Sequence, residues 1–171
     1  DVIPGELSNS EWQNTMEGAQ AIYSNDASNL ADYGRLYNWY AVDDARGLCP
    51  TGWHVPTDGE FMTLEMELGM SESEANGTGW RGTDQGAEMK SSPEDSPSWD
   101  GTNTSGFSGL ASGLRNPNGQ YGFMNISGLF WTQSLSSLTV AISRALDTGN
   151  SAINKDADVK NRGFSIRCIK D

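Results

Sequence analysis

The two cysteines of the chain, Cys49 and Cys168, place the strongest constraint on what it can fold into. Neither belongs to a CxxC pair, so zinc binding and dithiol redox chemistry lack ligands. One interpretation is a disulfide between the first third of the chain and its C-terminal strand, which would stabilise the fold by up to about 4 to 5 kcal/mol. The other interpretation is two separate buried thiols. Only the disulfide implies an exported protein.

Length and charge limit the number of domains and the kinds of partner. A chain of 171 residues is long enough for one domain with its own core, which we take to be residues 1–171. The formal net charge of -12 repels phosphate backbones and argues against nucleic acid as a partner. No apolar run approaches the roughly 20 residues of a membrane span, so we expect no direct membrane insertion. The chain opens at Asp1 without an initiator Met or a signal peptide, as a mature or trimmed chain would.

The periodicity of apolar residues predicts few regular elements. Residues 8–23 predict an amphipathic helix that is interrupted at Gly18, and residues 33–47 predict either a buried strand running into a short helix or a helix throughout. Residues 72–118 are rich in Gly, Ser, Asn and Asp, with regularly placed aromatic residues, which indicates a long ordered loop region. Short strands are predicted at residues 121–126, 128–134, 139–146 and 163–170.

The stretch CPTGWHVPTDGEF, which starts at Cys49, contains the clearest helix start in the chain. Thr57 followed three residues later by Glu60 is a capping box, and apolar residues then recur at helical spacing until Gly69. Acidic side chains in the first turn, Asp58 among them, are favoured there by the helix dipole. These residues are therefore interpreted as structural.

His54 is the only histidine of the chain, and no acidic residue stands at a telling distance from it in the sequence. We expect it to be a hydrogen-bonded structural residue, with the neighbouring Trp53 and Val55 pointing into the core. Without a second histidine, no Ser/His/Asp arrangement can be assembled. The sequence therefore predicts no catalytic residues.

A second group of polar residues, Asp100, Asn103 and Ser105, lies in the segment WDGTNTSGF. Oxygen atoms of such side chains can coordinate a hard cation. A glycine-rich turn in which Asp and Asn make local hydrogen bonds explains the same pattern. We assign no metal and no cofactor.

The segments YGRLYNWYAV, CPTGWHVPTDGEF, WDGTNTSGF, SGLRNPNGQY, FWTQS and GFSIRCIKD occur in the same order as in the Fibrobacter succinogenes major paralogous domain family. The chain resembles that family from about Trp12 to Asp171. The resemblance implies a C-type lectin-like fold of the variant shared with formylglycine-generating enzymes. Such a fold is α+β, with two helices, short antiparallel strands, long irregular loops and terminal strands that meet. The resemblance also supports pairing Cys49 with Cys168.

The resemblance does not by itself assign a function. Formylglycine-generating enzymes use an active-site cysteine pair, whereas both cysteines here are assigned to the scaffold, so we predict that the chain is not an enzyme. The EPN, QPD and WND motifs of calcium-dependent lectins are absent. Three classes remain: a module that binds a protein or glycan, a structural or adhesin domain of a surface protein, and a formylglycine-type enzyme with different chemistry.

The binding class points to the C-terminal segment. Related C-type lectin-fold proteins display variable residues that diversity-generating retroelements produce near the C-terminus. Six framework residues match the family pattern here: Trp131, Arg144, Leu146, Gly163, Phe164 and Cys168. We predict a ligand-binding surface made of Trp131, Gln133, Leu135, Ser137, Thr139, Ala141, Ser143, Asp147, Thr148, Asn150, Ala152 and Asn154.

The varied, small side chains of this segment have two explanations, diversification of a ligand surface or ordinary drift of a solvated face. Trp131 is either the anchor of that surface or a core residue. The expected partner is a protein or glycan on another cell or surface. The expected location is extracellular or at the cell surface, and the oligomeric state is not predicted.

Overall fold

A computed structural model describes residues 3–171; Asp1 and Val2, with which the chain and the predicted domain begin, lie outside the described residues. The strands are β1 (Gln20–Ala21), β2 (Leu36–Tyr37), β3 (Trp53–His54), β4 (Gly79–Arg81), β5 (Ser112–Arg115), β6 (Tyr121–Met124), β7 (Ser127–Leu135), β8 (Val140–Asp147), β9 (Ile153–Val159) and β10 (Ile169–Lys170). Six of them form one sheet in the order β4-β9-β8-β7-β5-β6. The strands β1 and β2 form a second, small sheet, and β3 and β10 form a third.

The large sheet is mixed. Its neighbouring strands are antiparallel except for β5 and β7, which run parallel and meet at Gly113 and Gly128. The expectation of antiparallel strands alone is therefore corrected. The last strand, β10, pairs with β3 and not with the first strand of the chain.

The helices are short. They are α1 (Asn9–Asn14), α2 (Asn29–Tyr33), α3 (Trp39–Val42), α4 (Asp58–Glu67), α5 (Glu72–Asn76) and α6 (Gln85–Met89), with a 3-10 helix at Tyr23–Asn25. Among residues 3–171 there are thus six α-helices, and the expectation of two is wrong. Only α4 has more than seven residues, so the fold is α+β with most of its core built on the sheet.

The helix α4 begins as predicted. Thr57 accepts a hydrogen bond from the Glu60 backbone N–H, and the Glu60 carboxylate accepts one from the Thr57 N–H, which completes the capping box. The helix ends before Gly69, which adopts a φ of 95°. A residue with a side chain is disfavoured in that conformation, so the glycine suits the helix end.

The N-terminal helix is shorter than predicted. A capping box of Ser8 and Glu11 begins α1, but Thr15 is already extended. A Cβ atom on Gly18 would lie only 3.0 Å from the Ala41 Cα, so the chain here passes close to another backbone segment. Residues 33–47 follow the first of their two interpretations, since the strand β2 runs into the short helix α3.

The core lies on both faces of the large sheet. One cluster, packed under α4, includes Phe61, Met70, Met89, Phe130, Leu146 and Ile153. The cluster on the other face includes Trp39, Val42, Leu114, Leu129, Trp131 and Phe164. Since adjacent residues of a strand point to opposite faces, Phe130 and Trp131 belong to different clusters. Part of the sheet face that carries the second cluster is open to solvent, next to Leu114 and Leu129.

Three of the four predicted strands are confirmed as β6, β7 and β8. In the fourth, residues 163–170, only Ile169–Lys170 forms a strand, while Gly163, Phe164 and Ser165 each bridge a different segment. The strand β9 was not predicted. It carries Lys155 on its buried face, and a buried charge hides the apolar alternation by which strands are recognised. Residues 72–118 also contain α5, β4, α6 and β5, so they are less irregular than expected.

Candidate ligand-binding face

The open part of the large sheet is a shallow depression of about 220 Å³, which we call the trough. All six strands contribute to it, together with one residue that follows β9. The trough residues are Trp80, Leu114, Phe123, Ser127, Leu129, Ser143, Ala145, Asp147, Asn154, Asp156, Asp158 and Arg162.

Strand register brings these residues onto one face. Trp80 pairs with Asn154 across β4 and β9, Asn154 with Ala145 across β9 and β8, and Ala145 with Leu129 across β8 and β7. A row of side chains therefore crosses the sheet from Trp80 to Leu129. Because alternate residues share a face, Asp156 joins the same surface from β9 and Asp147 joins it from β8.

Three polar side chains of the trough have hydrogen-bonding groups that no other part of the protein uses fully. Within residues 3–171, the Asp147 carboxylate and the Asn154 amide make no hydrogen bond or ion pair, and the Asp156 carboxylate accepts only from the adjacent Ala157 N–H at 2.8 Å. Polar side chains that are half-exposed and not engaged by the protein itself are available to a ligand.

Asp158 differs from these residues because the protein engages it. It accepts a hydrogen bond from the Ser143 hydroxyl at 2.7 Å and pairs with Arg162 at 3.2 Å. Burial raises the pKa of Asp158 above its ordinary value, although the Ser143 hydrogen bond and the Arg162 charge act in the opposite direction. Asp158 and Arg162 therefore form a largely self-contained end of the trough.

Two aromatic side chains stand at the margins of the trough. Trp80 is 44% exposed and Phe123 is 54% exposed, and they belong to β4 and β6, the two edge strands of the sheet. Phe123 also has a φ of 63°, a conformation that a bulky side chain rarely adopts. Trp80 belongs to the segment that was predicted to be a long ordered loop region, and its position on an edge strand leaves its ring accessible.

The opposite face of the same strands is fixed to α4 by a buried ion network. Arg144 contacts Glu65 at 2.6 Å and Asp58 at 2.7 Å; Lys155 also contacts Asp58, and Arg81 also contacts Glu65, both at 2.7 Å. Burial acts to raise the pKa of Asp58, but hydrogen bonds from Lys155 and Arg144 outweigh it and lower that pKa. The network holds β4, β8 and β9, the strands that carry much of the trough.

This network was not predicted from the sequence, in which Asp58 was interpreted only as a residue of the helix N-terminus and Glu65 had no assigned partner. Asp58 and Glu65 are seven residues apart, which is two helical turns, so they share one face of α4. Two acidic residues on the helix face that also carries apolar residues are a signal that basic partners are buried opposite them.

The sequence matches the family described as the Fibrobacter succinogenes major domain over residues 5–170. The chain belongs to this family. Neither a search of curated proteins nor a search of solved structures found a match.

In this Fibrobacter succinogenes major domain, Trp131 is a core residue. It is completely buried, donates its indole N–H to the Tyr37 carbonyl at 2.9 Å and packs on Phe164 with ring centroids 4.4 Å apart. Ala141 is completely buried in the same cluster. A buried side chain cannot contact an external ligand, so Trp131 and Ala141 are removed from the predicted surface.

Four other predicted residues lie away from the trough, at the end of β7 and in its connection to β8. Gln133, Leu135, Ser137 and Thr139 are exposed there. Ser137 and Thr139 are hydrogen-bonded to each other, with the Thr139 N–H 3.3 Å from the Ser137 hydroxyl. These side chains form the tip of a hairpin and are not brought together with the trough.

The turn between β8 and β9 contains Thr148, Asn150 and Ala152, and it is held by contacts within the protein. The Thr148 hydroxyl accepts from the Trp99 indole at 2.9 Å, and the Asn150 side chain accepts from the Ala152 N–H at 3.0 Å. The Lys90 ammonium group donates to the backbone carbonyls of Asp147 and Asn150, each at 3.0 Å. The Thr148 and Asn150 side chains thus shape the turn itself.

Of the predicted surface, the trough therefore retains Asp147 and Asn154, while Ser143 belongs to its floor but is buried and donates its hydroxyl to Asp158. Its margins, Trp80 and Phe123, come from segments that the prediction did not include. Asp156 was missed together with β9. The alternation of Asn154, Asp156 and Asp158 was the available signal for that strand face.

The disulfide is present in the structure: Cys49 and Cys168 are bonded, with their Cα atoms 5.8 Å apart. No free cysteine remains among the described residues. A second cavity, of about 320 Å³ and mostly apolar, lies beside Cys168 and is lined also by Phe61, Leu64 and Phe107. The disulfide interpretation is thus the one that the structure bears out.

His54 has two acidic partners, contrary to expectation. Its Nδ1 lies 2.6 Å from an Asp171 carboxylate oxygen, and its Nε2 lies 2.9 Å from a Glu60 oxygen. Hydrogen bonds to Asp171 and Glu60 raise the pKa of His54. Val55 is buried as predicted, whereas Trp53 is 45% exposed because its strand, β3, belongs to a sheet of only two strands.

The polar side chains in WDGTNTSGF are engaged by contacts within the protein. Asp100 pairs with Lys90 at 2.7 Å, Asn103 exchanges hydrogen bonds with Ser108, and the Ser105 hydroxyl donates to the Glu88 carbonyl at 2.7 Å. The turn interpretation therefore holds for Asn103, whereas Asp100 and Ser105 contact residues in and next to α6. Within residues 3–171, no group of three or more His, Cys, Asp and Glu side chains is placed to hold a metal ion.

Proposed function

We propose that this chain is a non-enzymatic binding domain with a C-type lectin-like fold, and that it recognises a protein or glycan ligand in the trough. The observation that carries the proposal is the set of unengaged polar side chains, Asp147, Asn154 and Asp156, beside the exposed rings of Trp80 and Phe123. Exposed aromatic rings with polar groups between them are the usual composition of a recognition surface.

The rigidity of the opposite face supports the same proposal. The charges of Arg144 and Lys155 are fixed to α4, and these residues alternate along their strands with trough residues. A ligand that binds a surface already held in place pays little entropy to order it. The trough can therefore vary in side chains while its backbone stays constant.

The proposal of a non-enzymatic role rests on the two cysteines and His54, the side chains that nucleophilic or acid–base catalysis would use. Both cysteines are joined in a disulfide, and His54 is occupied on both ring nitrogens by carboxylates. Neither is positioned in the trough. The residues that do line the trough suit binding rather than nucleophilic catalysis.

We also propose that the C-terminal segment is diversified by a retroelement. Asp147 and Asn154 of that segment line the trough with accessible side chains, so codon changes there would alter the ligand surface directly. The test is the coding DNA. A nearby imperfect repeat of the segment, differing only at adenines of the repeat, is the expected result, and the lack of such a repeat beside any reverse transcriptase gene would contradict diversification.

The disulfide indicates folding in an oxidising compartment. Among residues 3–171, no helix combines the length and apolarity needed to cross a membrane. We propose an extracellular or cell-surface location, where the domain would meet a ligand carried by another cell or surface.

The proposed function is tested by screening the protein against a glycan array and a displayed peptide library. The variants Trp80→Ala and Phe123→Ala are expected to lose the ligands that the unmodified protein selects, with unchanged melting temperatures. Trp53→Ala is the matched control, because Trp53 is exposed to the same extent as Trp80 but lies on β3, outside the trough. Equal loss of ligands in all three variants, or loss in none, would refute the trough as the site.

A further inference from the structure

We propose that the trough recognises a basic protein segment, with two Lys or Arg side chains that occupy the parts of the trough next to Asp147 and Asp156. This inference rests on the proposed function, because it names the chemistry of the ligand for the same site. It is carried by the charges, the register and the aromatic margins of the trough.

The charge of the trough is negative and is not compensated by the protein. Three aspartates and one arginine line it, and the arginine, Arg162, is paired with Asp158. The carboxylates of Asp147 and Asp156 have no basic partner within residues 3–171. A cationic ligand would supply the two ion pairs that the protein itself leaves open.

The rest of the molecule offers few accessible cations to compete for these carboxylates. The chain has 11 basic residues against 23 acidic ones. Five of the basic side chains are buried in the fold: Arg81, Lys90, Arg115, Arg144 and Lys155. The accessible surface is therefore even more acidic than the net charge of -12 indicates, and it attracts basic partners over a distance.

The register sets the spacing of the two open carboxylates. Asp156 is opposite Ser143 on β8, and Asp147 lies four residues farther along that strand. At the usual rise of a strand this separation is on the order of 14 Å, too far for one cation to bridge. It equals the distance between the first and fifth residues of an extended peptide, whose side chains point to the same side.

Two exposed aromatic rings, Trp80 and Phe123, line the same trough as the open carboxylates. Trp80 is opposite Asn154, two residues from Asp156 on the same strand face. Phe123 lies on β6, and the strands β5 and β7 separate it from Asp147 on β8. A Lys or Arg side chain that pairs with Asp156 is therefore close enough to gain a cation–π contact with Trp80 as well.

Arginine at both ends of a five-residue peptide matches this geometry, so the probe is acetylated and amidated Arg-Gly-Ser-Gly-Arg. The matched peptides replace one or both arginines with glutamine. Binding is followed by NMR shifts of the trough residues at low ionic strength. We expect the peptide with two arginines to bind about fivefold more tightly than the one with a single arginine, and the peptide with none not to bind, since each arginine adds an exposed ion pair.

The variants Asp147→Asn and Asp156→Asn are each expected to weaken binding of the two-arginine peptide about threefold to fivefold, the scale of one exposed ion pair. Glu72→Gln is the matched control, because it removes the same charge from an exposed position on α5, outside the trough. Melting temperatures establish that each variant is folded. The comparison of peptides on the unmodified protein needs no variant at all.

Equal weakening by Glu72→Gln, or equal binding of the arginine and glutamine peptides, would overturn the inference, because attraction would then be general or independent of charge. If the array ligands depend on Trp80 but not on Asp147 and Asp156, the trough is a binding site and its cationic specificity is refuted. If neither the arginine peptide nor any array ligand depends on trough residues, the inference and the proposed function both fail.

Discussion

The only histidine of the chain joins three segments through its ring. His54 lies on β3, Glu60 on α4 and Asp171 after β10, and the two carboxylates contact different ring nitrogens. Neutral imidazole carries a proton on one nitrogen only, so both contacts are donated hydrogen bonds only when the ring is protonated. At the residue scale, His54 is thus a pH-dependent link between the start of α4 and the last strand.

Raising the pH should therefore destabilise the protein through this one residue. The pKa of His54 is raised in the folded state, so its stabilisation is full below the unfolded-state pKa and is lost as the pH rises through the folded pKa. As the pH is raised through the folded-state pKa of His54, we expect the melting temperature of the unmodified protein to fall more than that of His54→Gln.

Glu60 titrates below this window, because hydrogen bonds from Thr57 and His54 lower its pKa. The variant His54→Gln removes the only histidine, so its pH curve shows how stability changes with pH when no imidazole titrates. The NMR titration of the same ring gives its pKa independently. Parallel pH curves for the two proteins, or a ring pKa below that of a free histidine, would contradict the role assigned to His54.

At the scale of elements, α4 depends on charges that are buried against the sheet. Glu65 is completely buried and contacts both Arg81 and Arg144. Removing one member of a buried ion network leaves its partners desolvated and unpaired, which costs more than the network contributes when complete. The same contacts hold the strands that carry the trough, so the helix supports the proposed binding face from the opposite side of the sheet.

Glu65→Gln is expected to lower the free energy of unfolding by about 3 to 5 kcal/mol, because it leaves two buried arginines short of a carboxylate. The measurement is urea unfolding followed by circular dichroism. Glu67→Gln, an exposed position on the same helix, is the control and should change stability by less than about 0.5 kcal/mol. Similar losses in both variants would show that helix charge, and not the buried network, sets the stability.

At the scale of the whole molecule, the disulfide connects distant parts of the chain beside a sheet of only two strands. Cys49 precedes β3 and Cys168 precedes β10, and these strands pair with each other. The small sheet has four residues, so hydrogen bonding alone holds it weakly. The covalent bond therefore keeps the C-terminal segment, and with it Phe164 in the core, in place.

Reduction, or the double variant Cys49→Ser/Cys168→Ser, is expected to lower the free energy of unfolding by about 4 kcal/mol, because the unfolded chain regains the freedom of a long loop. Non-reducing mass spectrometry of the oxidised protein should find the two cysteine peptides joined and no free thiol. Two alkylatable cysteines in protein made under oxidising conditions, or unfolding that is unaffected by reduction, would contradict this role.

Local chemistry in the sequence was enough to predict several parts of this protein. The capping box of Thr57 and Glu60 begins α4 where predicted, because its hydrogen bonds join residues three apart. The motifs around Cys49 and Cys168 indicated both the family and the disulfide. In β6, β7 and β8, short runs rich in apolar and aromatic residues identified the strands.

The tertiary structure decided everything that depends on which residues meet. It buried Trp131, exposed Trp80, gave His54 its two carboxylates and matched Glu65 with Arg144. Each of these outcomes follows from strand order and register, and a pairing between residues far apart in the chain leaves no periodic trace in the sequence. The sequence therefore determined the family and the longest helix and left the disulfide as one of two interpretations, while the pairing of six strands formed the trough that we propose as the binding site.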